Sequence, residues 1–406
     1  MRAATSPRKH AQAGFAGADA GSTLRWINHF THTRRLLGPG DREVVTPNND
    51  TLYTNAWLDL SGGPLVIEVP DMGTRYWTLG FLDMWTNPFA YAGRRTTGNR
   101  AQRLFVHGPG WQGDVPADMV RIASPGDDVW IIGRILVDDD EADLVTVRAL
   151  QDRFIIRCSD GEPATSRFDT AMDGRKTDIP TSADYVRVVN LALVRNPPPA
   201  AQQKERSEAA SFGLGGTPAP AAQAALAGAL THVYQALRDQ ARPSAVGGGW
   251  SVPVTVRTDY GDDYLSRAGV ARNFIGALGV EEAMYVMAEV DAQGAALDGR
   301  HRYELKFAPG ASPQVDAFWS LTLYRRSDCL LVDNPLDRYS IGDRTRGLQT
   351  DADGSLRLCI QADDPGPSVN WLPAPREPFY LTLRLYQPRA AHLDASFVYP
   401  PVTRLD

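Results

Sequence analysis

A six-residue signature, G-x-R-T-x-G, occurs twice in the chain, as Gly93-Arg94-Arg95-Thr96-Thr97-Gly98 and as Gly342-Asp343-Arg344-Thr345-Arg346-Gly347. Tyr76-Trp77-Thr78-Leu79 precedes the first copy and Phe318-Trp319-Ser320-Leu321 the second. Downstream, Val129-Trp130-Ile131-Ile132-Gly133-Arg134 mirrors Phe379-Tyr380-Leu381-Thr382-Leu383-Arg384, and the Gly-to-Arg separations are 134 − 93 = 41 and 384 − 342 = 42. Equal spacing across gapped motifs predicts a duplicated structural unit.

The 406 residues exceed one ordinary core and suit two or three domains. A hydrophobic content of 43%, 22% charged residues and a formal charge of −6 describe a soluble globular protein with no sign of nucleic-acid binding. No apolar run reaches the roughly 18 residues of a membrane span. Residues 1–23 are expected to be a disordered leader without the apolar segment of a secretory signal, which predicts a cytoplasmic protein. Cys158, Cys329 and Cys359 are odd in number and lack C-x-x-C spacing, which argues against a disulfide framework or a zinc site. Buried small hydrophobes are the expected reading, with Cys329 and Cys359 in strand-like runs.

Residues 44–137 read as short strands broken by Gly and Pro, the pattern of a sandwich or jelly roll. Residues 138–141, all acidic, suit a helix start, and Leu144, Val147, Leu150 and Phe154 recur at helical spacing. Further helices are predicted at 181–195 (with Tyr185, Val188, Leu191 and Val194 on one face), 200–210, 221–240 and 263–278. Strands return from 283, with a hairpin turn at 351–354. The predicted class is an α+β multidomain protein: two related antiparallel β-sandwich, jelly-roll-like domains at 24–138 and 281–406, with a helical block and linker at 139–280.

Arg95 and Arg344 sit between glycines in loops. Each could clamp a carboxylate or phosphate, or tie its loop to backbone carbonyls, and the repetition favours the structural role. The same holds for Arg134 and Arg384. Asn48, Asn49, Asp50, Thr51 and Tyr53 cluster before a strand, as a polar site or as a self-capped turn. Asp83, Trp85 and Asn87 end an apolar strand, where an acid beside an indole could have a raised pKa and serve as general acid, or Trp85 could be edge packing with a hydrogen-bonded N–H. His29 and His32, three apart, would share a helix face, with His32 as a lone base or a hydrogen-bonded wall residue ahead of a metal pair. Asp262 or Asp263 reads as a helix N-cap, with Arg267 pairing four residues on.

These residues carry a resemblance. Pro47-Asn48-Asn49-Asp50-Thr51-Leu52-Tyr53, Leu82-Asp83-Met84-Trp85-Thr86-Asn87, Arg95-Thr96-Thr97-Gly98 and the upstream Asn28, Phe30, His32 and Arg34 resemble the bacterial domain of unknown function 1254. Phe318-Trp319-Ser320-Leu321, Asn334-Pro335, Arg338-Tyr339, Gly342-Asp343-Arg344 and Asn370-Trp371-Leu372-Pro373-Ala374-Pro375 resemble its partner, domain of unknown function 1214. The resemblance implies two β-sandwiches with helices between, and no settled activity.

The expected function is an enzyme without redox cofactor or metal, acting on a small polar substrate, carbohydrate-like or a carboxylic acid, by hydrolysis or elimination. Asp83 would be the acid/base and His32 its partner. Tyr53 and Asp50 would orient, Asn49 and Asn87 would bind polar atoms, Trp85 would form a wall and Arg95 an anion clamp. The alternatives are a non-catalytic ligand- or glycan-binding or assembly module, and a metal-dependent hydrolase using His29 and His32. Nucleic acid and membrane are not expected partners. A homodimer or other homo-oligomer is compatible with the apolar surface of such sheets.

Overall fold

The computed structural model describes residues 15–16, 27–42, 45–138, 140–162, 164, 181–198, 202–217, 219–239, 243–253 and 256–406. The first half contains β1 (Phe15–Ala16), β2 (Phe30–Thr33), β3 (Thr51–Asp59), β4 (Leu65–Val69), β5 (Trp77–Leu82), β6 (Pro88–Gly93), β7 (Gln102–His107), β8 (Val120–Ala123), β9 (Asp128–Leu136), helix α1 (Glu141–Gln151) and β10 (Ile155–Cys158). These form a six-stranded sheet, β1-β2-β3-β9-β5-β6, and a four-stranded sheet, β10-β4-β7-β8. Leu58, Leu79, Phe81 and Ile131 of the large sheet share one core with Ile67, Leu104 and Val106 of the small one. Each such fully buried side chain is worth roughly 1.5–3 kcal/mol.

Helices α2 (Ser182–Arg195), α3 (Gln203–Ser211) and α4 (Pro220–Asp239) follow, then β11 (Ser244–Gly247), β12 (Trp250–Val252) and α5 (Tyr264–Asn273). The second half adds β13 (Ala283–Ala288), β14 (Tyr303–Phe307), β15 (Val315–Arg325), β16 (Ser340–Gly342), β17 (Leu356–Gln361), β18 (Trp371–Pro373), β19 (Phe379–Pro388), α6 (Ala390–Leu393) and β20 (Thr403–Arg404). Its sheets run β11-β12-β13-β19-β15-β16 and β18-β17-β14-β20 around a second core. The protein is therefore α+β, mostly sheet, with most strand pairs antiparallel; β7–β8 and β17–β18 are parallel.

Local expectations held where short-range chemistry decides. Asp140, Thr181 and Asp263 cap α1, α2 and α5 by accepting from Asp143 N, Asp184 N and Ser266 N. Other expectations need correction. Residues 30–33 are a strand, so the helical face for His29 and His32 does not exist. Leu191 and Val194 are exposed; Val186 is the buried contact of α2. The last long helix stops at Asn273, and Gly276 has φ +79. Cys329 lies in a turn with φ 59, and all three cysteines are half-buried. The 351–354 turn leads from β16 to β17, which are not neighbours, so it closes no hairpin. The large sheet of the second half takes β11 and β12, and the small sheet of the first takes β10, all from the segment expected to be a helical block. Most of the predicted leader lies outside the described residues; Phe15 and Ala16 pair with Thr33 and His32.

The two large sheets turn equivalent faces to each other. On one, Tyr53, Arg134, Thr78 and Gly93 form a cross-strand row; on the other, Tyr285, Arg384, Ser320 and Gly342 do so. Aromatic rings fill the centre. Phe318 stacks on Tyr386 at 4.1 Å, and Tyr76 meets both edge-on at 5.5 and 5.3 Å. Gly93 and Gly342 sit where edge strand meets neighbour. A Cβ on Gly342 would lie 2.2 Å from Trp319 O and one on Gly93 2.6 Å from Trp77 O, in both cases against backbone that cannot step aside. Gly342→Ala is expected to cost about 1–3 kcal/mol through overpacking. Urea unfolding of the variant measures it, and an unchanged midpoint would refute the close approach.

Candidate functional site

The segment that enters a central strand of each half's large sheet, β3 or β13, crosses the large sheet of the other half. Before β3, Thr46 N donates to Cys329 O, Thr46 Oγ1 meets Tyr380 OH at 2.7 Å, and Tyr324 OH donates to Pro47 O at 2.6 Å. Before β13, Gly276 O accepts from Arg134 and Gly279 N donates to Tyr91 OH. A Cβ on Gly80 would meet Leu278 at 2.7 Å, which shows how closely that strap lies on the first sheet.

The repeated arginines close both straps. Arg344 Nη2 donates to Asp50 Oδ1 at 2.9 Å, and Ser320 Oγ to Asp50 Oδ2 at 2.6 Å. Arg95 Nε donates to Glu282 Oε2 at 2.7 Å, and Tyr76 OH to Glu282 Oε1 at 3.1 Å. Each arginine thus reaches the carboxylate just ahead of the other half's strand. Asp50 and Glu282 side chains are 2% exposed, so these charges lie in low dielectric, where pairing is strong and loss of a partner costly.

A cavity opens at the Asp50 edge. About 150 Å³ in volume, it is bordered by Asn49, Asp50 and Val137 from the first half and by Ser320, Arg338, Tyr339 and Arg344 from the second. A neighbouring cavity of about 380 Å³ shares Leu336, Arg338 and Thr345 with it and extends to Asn370 and Trp371. The larger volume is within the range of small-molecule sites. Asp343 lies between the wall residues Gly342 and Arg344. Its two oxygens accept from Trp319 N at 3.3 Å. Burial pushes its carboxyl up to about 6, against the lowering by that N–H and by Arg344, with Asp50 adding to the rise.

The expected site residues separate into neighbourhoods. Asn49 and Asp50 border the cavity, Asn49 also donating to Leu37 O at 2.6 Å. Tyr53 lies under the Arg134 guanidinium, 5.6 Å from its carbon. Arg95 belongs to the opposite lock. Asp83 stitches its own turn, accepting from Trp85 N, Asn87 N and Asn87 Nδ2 at 2.9 Å each. Burial raises its pKa against those bonds, and Trp85 carries the Arg267 guanidinium on its ring. His32 faces the first sandwich's interior, stacked on Phe30 with Nδ1 3.1 Å from Thr54 Oγ1. Burial and then Arg34 lower its pKa to about 3, so it stays neutral across the physiological range. His32 and Asp83 share no hydrogen-bond partner among the described residues, and the structure does not bring them together as acid and base. Ser320, Asp343 and Glu282 were missed. Asp343 carried a signal, as the position inside the repeated signature where one copy has an acid and the other Arg94.

A family model described as Protein of unknown function (DUF1254) matches residues 27–157, and one described as Protein of unknown function (DUF1214) matches residues 282–390. Among solved structures, the chain is similar to the VPA0106 protein from Vibrio parahaemolyticus, with 27% identity and a TM-score of 0.70 over 89% of this chain and 90% of that one. A putative uncharacterized protein from Burkholderia cenocepacia aligns at 13% identity and a TM-score of 0.46, over 91% of this chain and 81% of that one. No curated protein matches the chain.

Proposed function

We propose that this chain, which belongs to the two-domain family of unknown function whose N-terminal and C-terminal parts it carries, is an enzyme that needs no redox cofactor. It acts on a small polar molecule with an acidic group, by hydrolysis or elimination, in the cavity between the two halves. The carrying observation is the meeting of Asn49 and Asp50 with Ser320 and Arg344 around that cavity. Arg338, which borders both adjoining cavities, supplies a cation for an acidic substrate. Asp343, next in the chain to the wall residues Gly342 and Arg344, is the candidate to give and take the proton, since burial raises its carboxyl to about 6. We also read the two sandwiches as copies of one jelly-roll-like unit, supported by their matched strand orders and ladder rows.

The second reading, a binding or assembly module without turnover, is favoured by the Arg95–Glu282 pair. It repeats the Arg344–Asp50 contact as plain interdomain adhesion. Screening small carboxylates and sugar acids for thermal stabilisation, then for turnover, separates the two. With a turned-over substrate, Asp343→Asn is expected to lower kcat by about 100-fold or more and to remove the pH limb near 6. A variant with full turnover and the same pH profile would take Asp343 out of the mechanism. Binding without turnover across the panel would leave the module reading.

A further inference from the structure

Each end of the contact between the large sheets holds two guanidiniums and one carboxylate. Arg344 and Arg384 stand by Asp50; Arg95 pairs with Glu282, and Arg134 shares the neighbour Tyr76 with Glu282. The spare cation is treated differently at the two ends. Arg384, 2% exposed, donates to Thr322 Oγ1 at 2.9 Å and to Thr46 O at 3.0 Å. Arg134, 4% exposed, donates only to Gly276 O, at 3.3 Å. Its Nε and Nη1 are buried without a partner among the described residues, as are Thr78 Oγ1, its ladder neighbour, and Tyr386 OH. Both Glu282 oxygens are already taken, by Tyr76 and Arg95. Phenols face Arg134: Tyr53, Tyr285, Tyr386 and Tyr76, with Tyr91 also near it. Burial holds Tyr76 and Tyr386 well above their ordinary pKa, so neither supplies negative charge.

A buried guanidinium with two idle N–H donors and no carboxylate bonded to it, beside two idle hydroxyls, is costly. We infer that Arg134, Thr78 and Tyr386 form an internal site for a small monovalent anion, a halide or a one- or two-carbon carboxylate. The anion accepts from Arg134 Nε or Nη1 and from the hydroxyls. The site does not depend on the reading of the Asp50 cavity, since it uses none of the residues bordering it.

Crystals of the full chain soaked in sodium bromide test the site directly. An anomalous peak is expected within about 3.5 Å of Arg134 Nε or Nη1, lost when formate competes. Only water there, or no density, overturns the proposal. In solution at constant ionic strength, the melting temperature is expected to rise with the logarithm of bromide or formate concentration, by about 2 °C per tenfold above Kd. Arg134→Met should abolish the rise. Should that variant not fold, Thr78→Val with Tyr386→Phe removes only the idle hydroxyls and is expected to weaken anion binding about tenfold. An unchanged anion response in the double variant, or equal effects of bromide and fluoride without saturation, would refute the site.

Discussion

Replacing Asp50 by alanine is expected to destabilise the protein by about 3–5 kcal/mol, the cost of breaking one partner out of a buried pair. The carboxylate is the only acceptor for the Ser320 hydroxyl among the described residues, and it takes one of the two bonds of the Arg344 guanidinium, the other going to Val137 O. Without it a cation and a hydroxyl stay behind between packed sheets. Arg344→Met should cost less, because it removes the cation and leaves a carboxylate that can become neutral by taking up a proton while keeping the Ser320 bond. A double-mutant cycle by urea unfolding is expected to show strong coupling between positions 50 and 344. Glu282→Ala should cost less than Asp50→Ala, because the Arg95 side chain is 33% exposed and water can take over its N–H. An Asp50→Ala loss under about 1 kcal/mol would mean that the halves are held by ring packing alone.

Acid should weaken the fold through its buried histidines. His32 has its pKa lowered from 6.5 to about 3, mainly by burial, and His392 to about 4 for the same reason. The unfolded chain takes up these protons below about 6.5 and the native one does not. Stability is therefore whole above 6.5 and declines as pH falls through the window down to the native values. For His32 alone the loss approaches about 4 kcal/mol near pH 3. Asp343 works the other way: its carboxyl, raised from 3.8 to about 6, makes the native state hold the extra proton, so its contribution falls as pH rises between those values. His32→Asn should keep a contact with Thr54 and remove one proton from the pH slope between 4 and 6. An identical slope in the variant, measured by urea unfolding at several pH values, would show that His32 titrates freely.

The duplicated signature was legible because its glycines answer a local demand: the strand before Gly93 or Gly342 runs too close for a side chain. Helix starts were legible for the same reason, since Asp140, Thr181 and Asp263 act on N–H groups three residues on. The polar run 47–53 was recognisable as important, but not for what. Asn48 and Asn49 bond within or near the turn, while Asp50 reaches the other half. The Asp83 cluster, read as chemistry, is an Asx-type turn whose bonds span two to four residues. Its raised pKa was foreseen, though burial rather than catalysis is its visible cause.

From the chain alone came a strand-rich fold with helices, the repeated glycine-arginine signature and the helix caps at Asp140, Thr181 and Asp263, while the helical face for His29 and His32 and the hairpin at 351–354 did not survive. Tertiary structure alone decided where the charges go. Arg95 finds Glu282 across 187 positions and Arg344 finds Asp50 across 294, separations at which no local pattern selects a partner. Which face of each large sheet meets the other, and so which arginine is left without an acid, follows from how the two halves bury their aromatic rings against one another.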